Sequence, residues 1–485
     1  MSLFDKLKTI LSNKVVFYMV TRYMVYFITF LSSMIIAAKM GPYYLGVWGI
    51  ITLLIRYFHI IDLGLGNSIT VLLVQNKNDQ EAKADYEMAS LAVLGLMSLI
   101  VLLIGGYYCL FGISIFDKYQ LGGIFYFVCI IAILQYFNDY LLKVYRVKGK
   151  IFEFTFYQTV IQVLTFVAVF FAHGEKLIYL LVGVYLFSHL ISLVLYIRGK
   201  GVSFKGRFSW LKVGEVLSKG MYLFVYNFCF YMIIISTKTI IGACYTVEEF
   251  GYFTFAYTLA HAAILLLTAF SSLIAPKLLD KFNSQDGHTI DATIRMIRVN
   301  YVYLSHGLMY VAMTFFPILI YFIPKYAGTL EVINLTSLAT ILYANSFGYM
   351  SFLMVRNKER IIALNSFFCM VVNVCISLLL VKFFHVGYTY VILATLLSYF
   401  LFAWLSVYYG KKELLSKVNF KDILKEVFPV GILLPFMAAV IVTIINCNYL
   451  MSTPLFIYLL INRKEIKEIL LSFKRVLYNP KVIDI

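Results

Sequence analysis

MGPYYLGVWGIITLLIRYF, residues Met40–Phe58, and YTVEEFGYFTFAYTLAHAA, residues Tyr245–Ala263, are two copies of one pattern. Laid over each other at an offset of 205, Gly46 meets Gly251 and Trp48 meets Phe253 with no gap. Carried outward, the same offset pairs Arg22 with Asn227, Tyr26 with Tyr231, Ser33 with Lys238 and Arg56 with His261. Polar residues therefore recur at equivalent depths inside apolar segments, which a chance alignment of aromatic-rich helices seldom gives. The expectation is two lobes in the same orientation, related by an axis along the membrane normal.

The class follows from composition. A chain of 485 residues that is 62% hydrophobic, with a mean hydropathy of +0.87, cannot be a soluble globular protein. Its long unalternated apolar runs read as membrane-spanning helices. They predict spans near 15–38, 46–73, 88–111, 121–145, 154–172, 177–197, 218–242, 250–275, 299–323, 330–355, 361–381, 387–409 and 427–446, with a short fourteenth near 449–461. The expected architecture is an all-α integral membrane protein of about 14 transmembrane helices. It has an N-lobe over 1–197, a cytoplasmic linker over 198–217, a C-lobe over 218–410, and a C-terminal helix pair with a basic tail over 411–485. The start, with Leu3, Phe4, Leu7, Ile10 and Leu11 at helical spacing among lysines, reads as an interfacial amphipathic helix leading into a retained first span.

Charge sets the orientation. Of 41 Lys and Arg, 33 fall on one side of the predicted spans, and five (Lys39, Lys118, Lys176, Lys325 and Lys382) fall on the other. The positive-inside bias puts both termini in the cytoplasm and makes the span count even. The formal charge of +17 is thus accounted for by loops at a cytoplasmic leaflet, without nucleic acid.

Three cations remain inside hydrophobic segments: Arg22, Arg56 and Lys238. A cation at mid-bilayer costs at least about 2.5–3.5 kcal/mol, so it faces a wet cavity or reaches for the interface. Three of them with few carboxylates predict a lumen that receives an anion. Arg22, Tyr26, Thr29 and Ser33 share one helical face, and Asn227, Tyr231, Ile234 and Lys238 repeat it. Arg56, His59 and Asp62 step by three along the second span. The expected substrate-contacting residues are Arg22, Tyr26, Arg56, Asn227, Tyr231, Lys238 and His261. Asp62 and Asp139, the carboxylates inside spans, and His59 are the candidates for binding H+ or Na+. A fixed Arg56–Asp62 ion pair accounts for the same residues. His306 is a further intramembrane histidine, and a packed side chain is the plainer reading of it. The seven Cys show no CxxC pair and no His at metal-ligand spacing. No metal site, no cofactor and no catalytic constellation is expected, so the chain does not read as an enzyme. Every outer loop is too short for the catalytic domain of a membrane glycan polymerase.

The segments MGPYYLG (40–46), IDLGLGNS (61–68), VYRVKGK (144–150) and TIIGACYTVEEFGYFTFAYTL (239–259), with Pro276 and VRNKER (355–360), carry a family likeness. The chain resembles the polysaccharide-transporter branch of the multidrug/oligosaccharidyl-lipid/polysaccharide exporter superfamily, and within it the bacterial O-antigen-unit flippases. The resemblance implies two six-helix lobes, a MATE-like fold, and export of an undecaprenyl-pyrophosphate-linked oligosaccharide across the inner membrane. Its partners would be membrane lipids and other polysaccharide assembly proteins. A lipid II flippase or a multidrug antiporter of the same superfamily stays open. Relatives often carry an acidic residue before the span-7 cation, where this chain has Thr237-Lys238.

Overall fold

The computed structural model describes residues 14–112, 114–199, 206–263, 282, 287–414 and 418–478. The N-terminal amphipathic segment and Pro276 lie outside them. Two compact units emerge, Met1–Phe228 and Cys229–Ile485.

In the first unit, α1 (Lys14–Ile60), α2 (Leu65–Gln75), α3 (Gln80–Phe111), α4 (Ile124–Val147), α5 (Ile151–Ala168) and α6 (Gly174–Arg198) are followed by a short α7 (Trp210–Lys219). Helix α6 packs on α4 and α5, and α5 packs on α1. The continuous run Val20–Gln75 holds 56 residues, about 84 Å at helical rise, and so cannot be one crossing. It is broken where the sequence requires it. Gly41 takes φ 71°, ψ 175°, and Pro42 follows in the first-turn position where its missing N–H costs nothing.

A second break interrupts the expected second span. The regular helix stops at Ile60, and Leu63 (φ 50°) and Gly64 (φ 73°) are left-handed. The Gly64 N–H donates to Asp62 Oδ1 at 2.9 Å. The step of three from Arg56 to His59 therefore does not continue to Asp62, which serves as the local cap of the turn.

The stretch expected to link the lobes is helical from Trp210 and held to the first unit. Asp85 accepts from the Arg207 N–H at 2.6 Å and pairs with Lys212 at 2.6 Å, while the Tyr86 hydroxyl donates to Glu215 at 2.6 Å. A side chain at Gly206 would run into the Ala84 carbonyl.

The second unit continues from α8 (Met221–Cys244), in which the unit boundary falls, into α9 (247–263). The break between them at 245–246 stands 205 residues after Gly41, the offset of the sequence repeat. Then come α10 (Gly287–Arg298), a π-helical turn Val299–Tyr303, α11 (Leu304–Phe322), α12 (Leu330–Ile341) and a 3₁₀ turn Leu342–Ser346. The chain continues through α13 (Tyr349–Val355), α14 (Glu359–Lys382) and α15 (Ile392–Leu414) to α16 (Phe420–Val427) and α17 (Val430–Ile445). It closes with α18 (Thr453–Ile461) and α19 (Arg463–Tyr478). Buried polar residues pin this unit. Thr237, fully buried, meets Thr395 Oγ1 at 2.8 Å, and Asn373 donates to Thr237 Oγ1 at 2.9 Å and to the Ile233 carbonyl at 2.7 Å. Helices pack closely through such pairs because no water satisfies polar groups there.

Among the described residues, ten helices are long and apolar enough to cross a bilayer, or eleven if α16 and α17, bent by 66°, form one span. The expected count of fourteen is not reached among the described residues: the eighth span runs to residue 263, where the described stretch ends, and the fourteenth falls on the nine-residue α18, about 14 Å long and shorter than a crossing.

Candidate functional site

In the first unit, α1 and α4 bring charged and polar side chains together inside the spanning region. His59 Nδ1 lies 2.9 Å from Asp139 Oδ2 and 3.1 Å from Gln135 Nε2. One ring nitrogen therefore faces an acceptor and a donor at once. Unprotonated, Nδ1 accepts from the Gln135 amide; protonated, it donates to Asp139. Two of the residues singled out for ion binding are thus in contact, while Asp62, in the turn after Ile60, makes no direct contact with His59 but lies close enough for its charge to act on His59, Asp139 and Lys143.

Lys143 completes the cluster. The charge count grouped it with the loop that follows, although it falls inside the expected span 121–145, and it stands within α4, where the Asp139 and Asp62 carboxylates and the Arg146 and Arg22 guanidiniums act on its ammonium. Its stem fixes the α2 start: a Cβ at Gly66 would sit 3.4 Å from Lys143 Cε and 3.6 Å from Asp62 Oδ2. The intramembrane cations therefore number more than the three expected. Next along α4, Asn138 is buried and donates to the His189 carbonyl at 2.9 Å.

Arg56 differs from these. It is exposed, although Leu53, Leu54, Ile55 and Phe58 around it are buried. Among the described residues no carboxylate lies within ion-pair distance of it, so the fixed Arg56–Asp62 pair does not form. Tyr26 and Asn227 are half-buried. Thr29 and Ser33, on the expected polar face, turn back on their own helix, donating to the Val25 and Thr29 carbonyls at 2.8 Å each, and so need no ligand.

In the second unit, Lys238 is 7% exposed, so it does not snorkel. Its ammonium sits 5.3 Å from the Tyr257 ring centre and 5.6 Å from that of Phe250. His261 lies parallel to Tyr257 at 5.5 Å and 9°. Two expected substrate residues, Lys238 and His261, are thereby joined through an aromatic ring that the sequence reading passed over. Tyr257 stands four residues before His261, the spacing that puts side chains on one face. Desolvated cation–π contacts of this kind reach about 2 kcal/mol. Tyr231, by contrast, is 49% exposed. Thr237, the residue before Lys238, is neutral and tied to Thr395 and Asn373, while Lys238 has π faces beside it.

Two further buried residues have structural roles. His306 is fully buried, with Nε2 at 2.9 Å from Asn345 Oδ1 and Nδ1 at 3.1 Å from the Tyr310 hydroxyl, a packed and satisfied side chain. Arg298, counted among loop cations, is 5% exposed and structural: it donates to the Asn345 and Glu426 carbonyls at 2.6 Å each.

Comparison with known proteins agrees with this architecture. A family profile described as "Polysaccharide biosynthesis protein" matches residues 35–320. Among curated protein sequences, none matches. The chain is similar to a solved multidrug resistance MATE family transporter of the MOP superfamily in an inward-facing conformation, at TM-score 0.68 and 12% identity. That likeness covers 82% of this chain and 98% of the other. It is similar also to a MATE protein in a bent conformation, at TM-score 0.58 and 13% identity over 85% and 96% of the two chains. A MOP superfamily transporter from Pyrococcus furiosus, described as having a binding pocket of reversed polarity, matches at TM-score 0.59 and 12% identity over 84% and 96%.

Proposed function

Because the chain belongs to the polysaccharide biosynthesis protein family and has the MATE-type fold of the MOP superfamily, we propose that it flips an undecaprenyl-pyrophosphate-linked oligosaccharide. Transport runs outward across the bacterial inner membrane by alternating access. The observation that carries this reading is Arg56, an intramembrane cation left without a carboxylate among the described residues, with the Lys143–Arg22 cluster and the Lys238 cage as further positive sites. Cationic sites of this kind favour a pyrophosphate over a drug cation. Tyr26 and Asn227 in the first unit, and Tyr231 and His261 in the second, are the side chains offered to the sugars, and the polyprenyl chain stays in lipid. An inside-negative potential assists, since each charge moved is worth about 2.3 kcal/mol per 100 mV.

The two-partner nitrogen of His59 is the coupling element in this reading, with Asp62 as a nearby acceptor. Protonation moves His59 from Gln135 to Asp139 and adds one positive charge near Lys143 and Arg22, strengthening the pull on an anion. Proton loss reverses both. The test is flipping of a lipid-pyrophosphate oligosaccharide in proteoliposomes under imposed pH and Na+ gradients. Asp139→Asn is expected to flip without responding to the pH gradient and to keep its response to membrane potential. A variant that follows the pH gradient as the parent does would remove His59–Asp139 as the coupling pair. No flipping by the parent under any gradient would overturn the flippase reading.

Orientation is checked separately. Reporters fused within 198–217 and after Ile485 should be active only as cytoplasmic reporters. A periplasmic signal from the tail would require an odd number of crossings.

A further inference from the structure

The charged cluster leaves unused a second feature of the first unit, a cleft of about 150 Å3 whose lining includes Tyr43, Tyr44, Tyr119, Gln120, Glu175 and Tyr179. Whole small-molecule sites occupy about 300–1,000 Å3, so this one suits a single ring rather than a whole oligosaccharide. Along α1, Tyr43 stands sixteen residues before His59, about 24 Å at helical rise, so the cleft is at the other end of the unit. Its side chains come from three chain breaks: the Gly41–Pro42 kink, the 3₁₀ turn Ser114–Tyr119, and the start of α6.

The walls are built in detail. Tyr119 is 1% exposed and forms a fixed base, and Gln120 beside it is held at φ 50°, a left-handed conformation that side-chain-bearing residues seldom adopt. Tyr43 and Tyr44 meet edge to face, 5.3 Å apart at 85°. Gly174 takes φ +55°, and a Cβ there would lie 3.5 Å from Tyr44 Cε2, so the backbone seats that ring. The Tyr179 hydroxyl donates to Glu175 Oε1 at 3.4 Å, a long contact that a better partner displaces easily. Tyr179 itself is 56% exposed.

Rings at right angles, with a carboxylate and an amide in the same lining, match a pyranose, which offers C–H faces to aromatic rings and hydroxyl edges to acceptors. The carboxylate disfavours acidic sugars. We propose that this cleft binds a neutral pyranosyl unit of the lipid-linked oligosaccharide at the outer face, holding the glycan as its headgroup leaves the charged interior. The proposal rests on the flippase reading, whose orientation puts Lys39, Lys118 and Lys176, and with them this cleft, outside.

The test uses the full chain in nanodiscs, titrated with neutral gluco-, galacto-, manno- and N-acetylglucosamine tetrasaccharides and with a uronic-acid tetrasaccharide, read by saturation-transfer NMR. At least one neutral tetrasaccharide should bind and the acidic one should not. Tyr179→Ala should weaken binding about two- to twelve-fold, the worth of one aromatic contact, and Glu175→Gln should weaken it while leaving the melting temperature unchanged. A lipid-pyrophosphate oligosaccharide added to the nanodiscs should compete. Absence of binding by every neutral probe, unchanged binding in both variants, or preference for the acidic sugar overturns the proposal. Binding of tetrasaccharide without competition assigns the cleft to free glycan and overturns it too. Flipping is measured on the same protein: a parent that flips but binds no sugar loses the cleft alone, and one that binds but does not flip loses the flippase reading alone.

Discussion

Arg56→Ala should abolish export of surface polysaccharide while the protein still inserts and keeps its helical content. The guanidinium emerges from a helix whose neighbouring side chains, Leu53, Leu54, Ile55 and Phe58, are buried, and a charge at that depth faces water or an anion rather than lipid. Removing one partner of a desolvated charged contact costs about 2–5 kcal/mol, which is about thirty-fold to several thousand-fold in substrate affinity. Arg56→Lys should keep part of the activity, because Lys supplies the charge without the planar fork that grips two phosphate oxygens. Export assayed in cells, with membrane quantities of each variant matched, decides the matter. Full activity in the Lys variant would limit the role to a point charge. Full activity in the Ala variant would sink the cationic lumen.

What sequence could reveal here follows from what a bilayer constrains. Segment length and the absence of lone polar backbone are each set one segment at a time, so the apolar helices were legible, and the gap between the first two expected spans holds the Gly41–Pro42 kink. Partners on other helices are not legible in that way. His59 stood out as titratable, but its contact with Asp139 joins residues eighty apart. Lys143 was counted with a loop because it sits one turn from the end of its helix, and only the fold shows Asp62 and Asp139 acting on it. The break after Ile60 was hidden too. The glycines of IDLGLGNS marked a possible bend, but the left-handed turn at Leu63, which no propensity favours, depends on Asp62 reaching the Gly64 N–H.

Arg298→Ala should be strongly destabilising in the second unit, lowering its resistance to unfolding by about 3–5 kcal/mol, because three carbonyls around this buried side chain lose their donor at about 1–3 kcal/mol each. The reason lies in where two chain segments end. The 3₁₀ turn Leu342–Ser346 and helix α16 both finish against Arg298, leaving carbonyls that their own helices cannot satisfy. Arg298 donates to Asn345 and Phe347 from one side, at 2.6 and 3.2 Å, and to the Glu426 carbonyl at 2.6 Å from the other. Its Nε lies 3.0 Å from the Glu426 carboxylate. A cation at helix C-termini is stabilised by the aligned dipoles as well. The site admits nothing larger beside it: a Cβ at Gly348, held at φ +94°, would come within 3.2 Å of Arg298 Cγ. Lys411, 3.3 Å from Glu426, still neutralises that carboxylate in the variant but cannot reach around to three carbonyls. Arg298→Lys should therefore recover only part of the loss, since one ammonium replaces a five-donor fork. Denaturant unfolding of the purified protein, followed by a probe in the second unit, measures this. If Arg298→Ala unfolds within about 1 kcal/mol of the parent, a typical surface substitution, Arg298 is no keystone. Its burial would then point to a functional use of the charge, because a buried cation that adds nothing to stability would need another reason to be there.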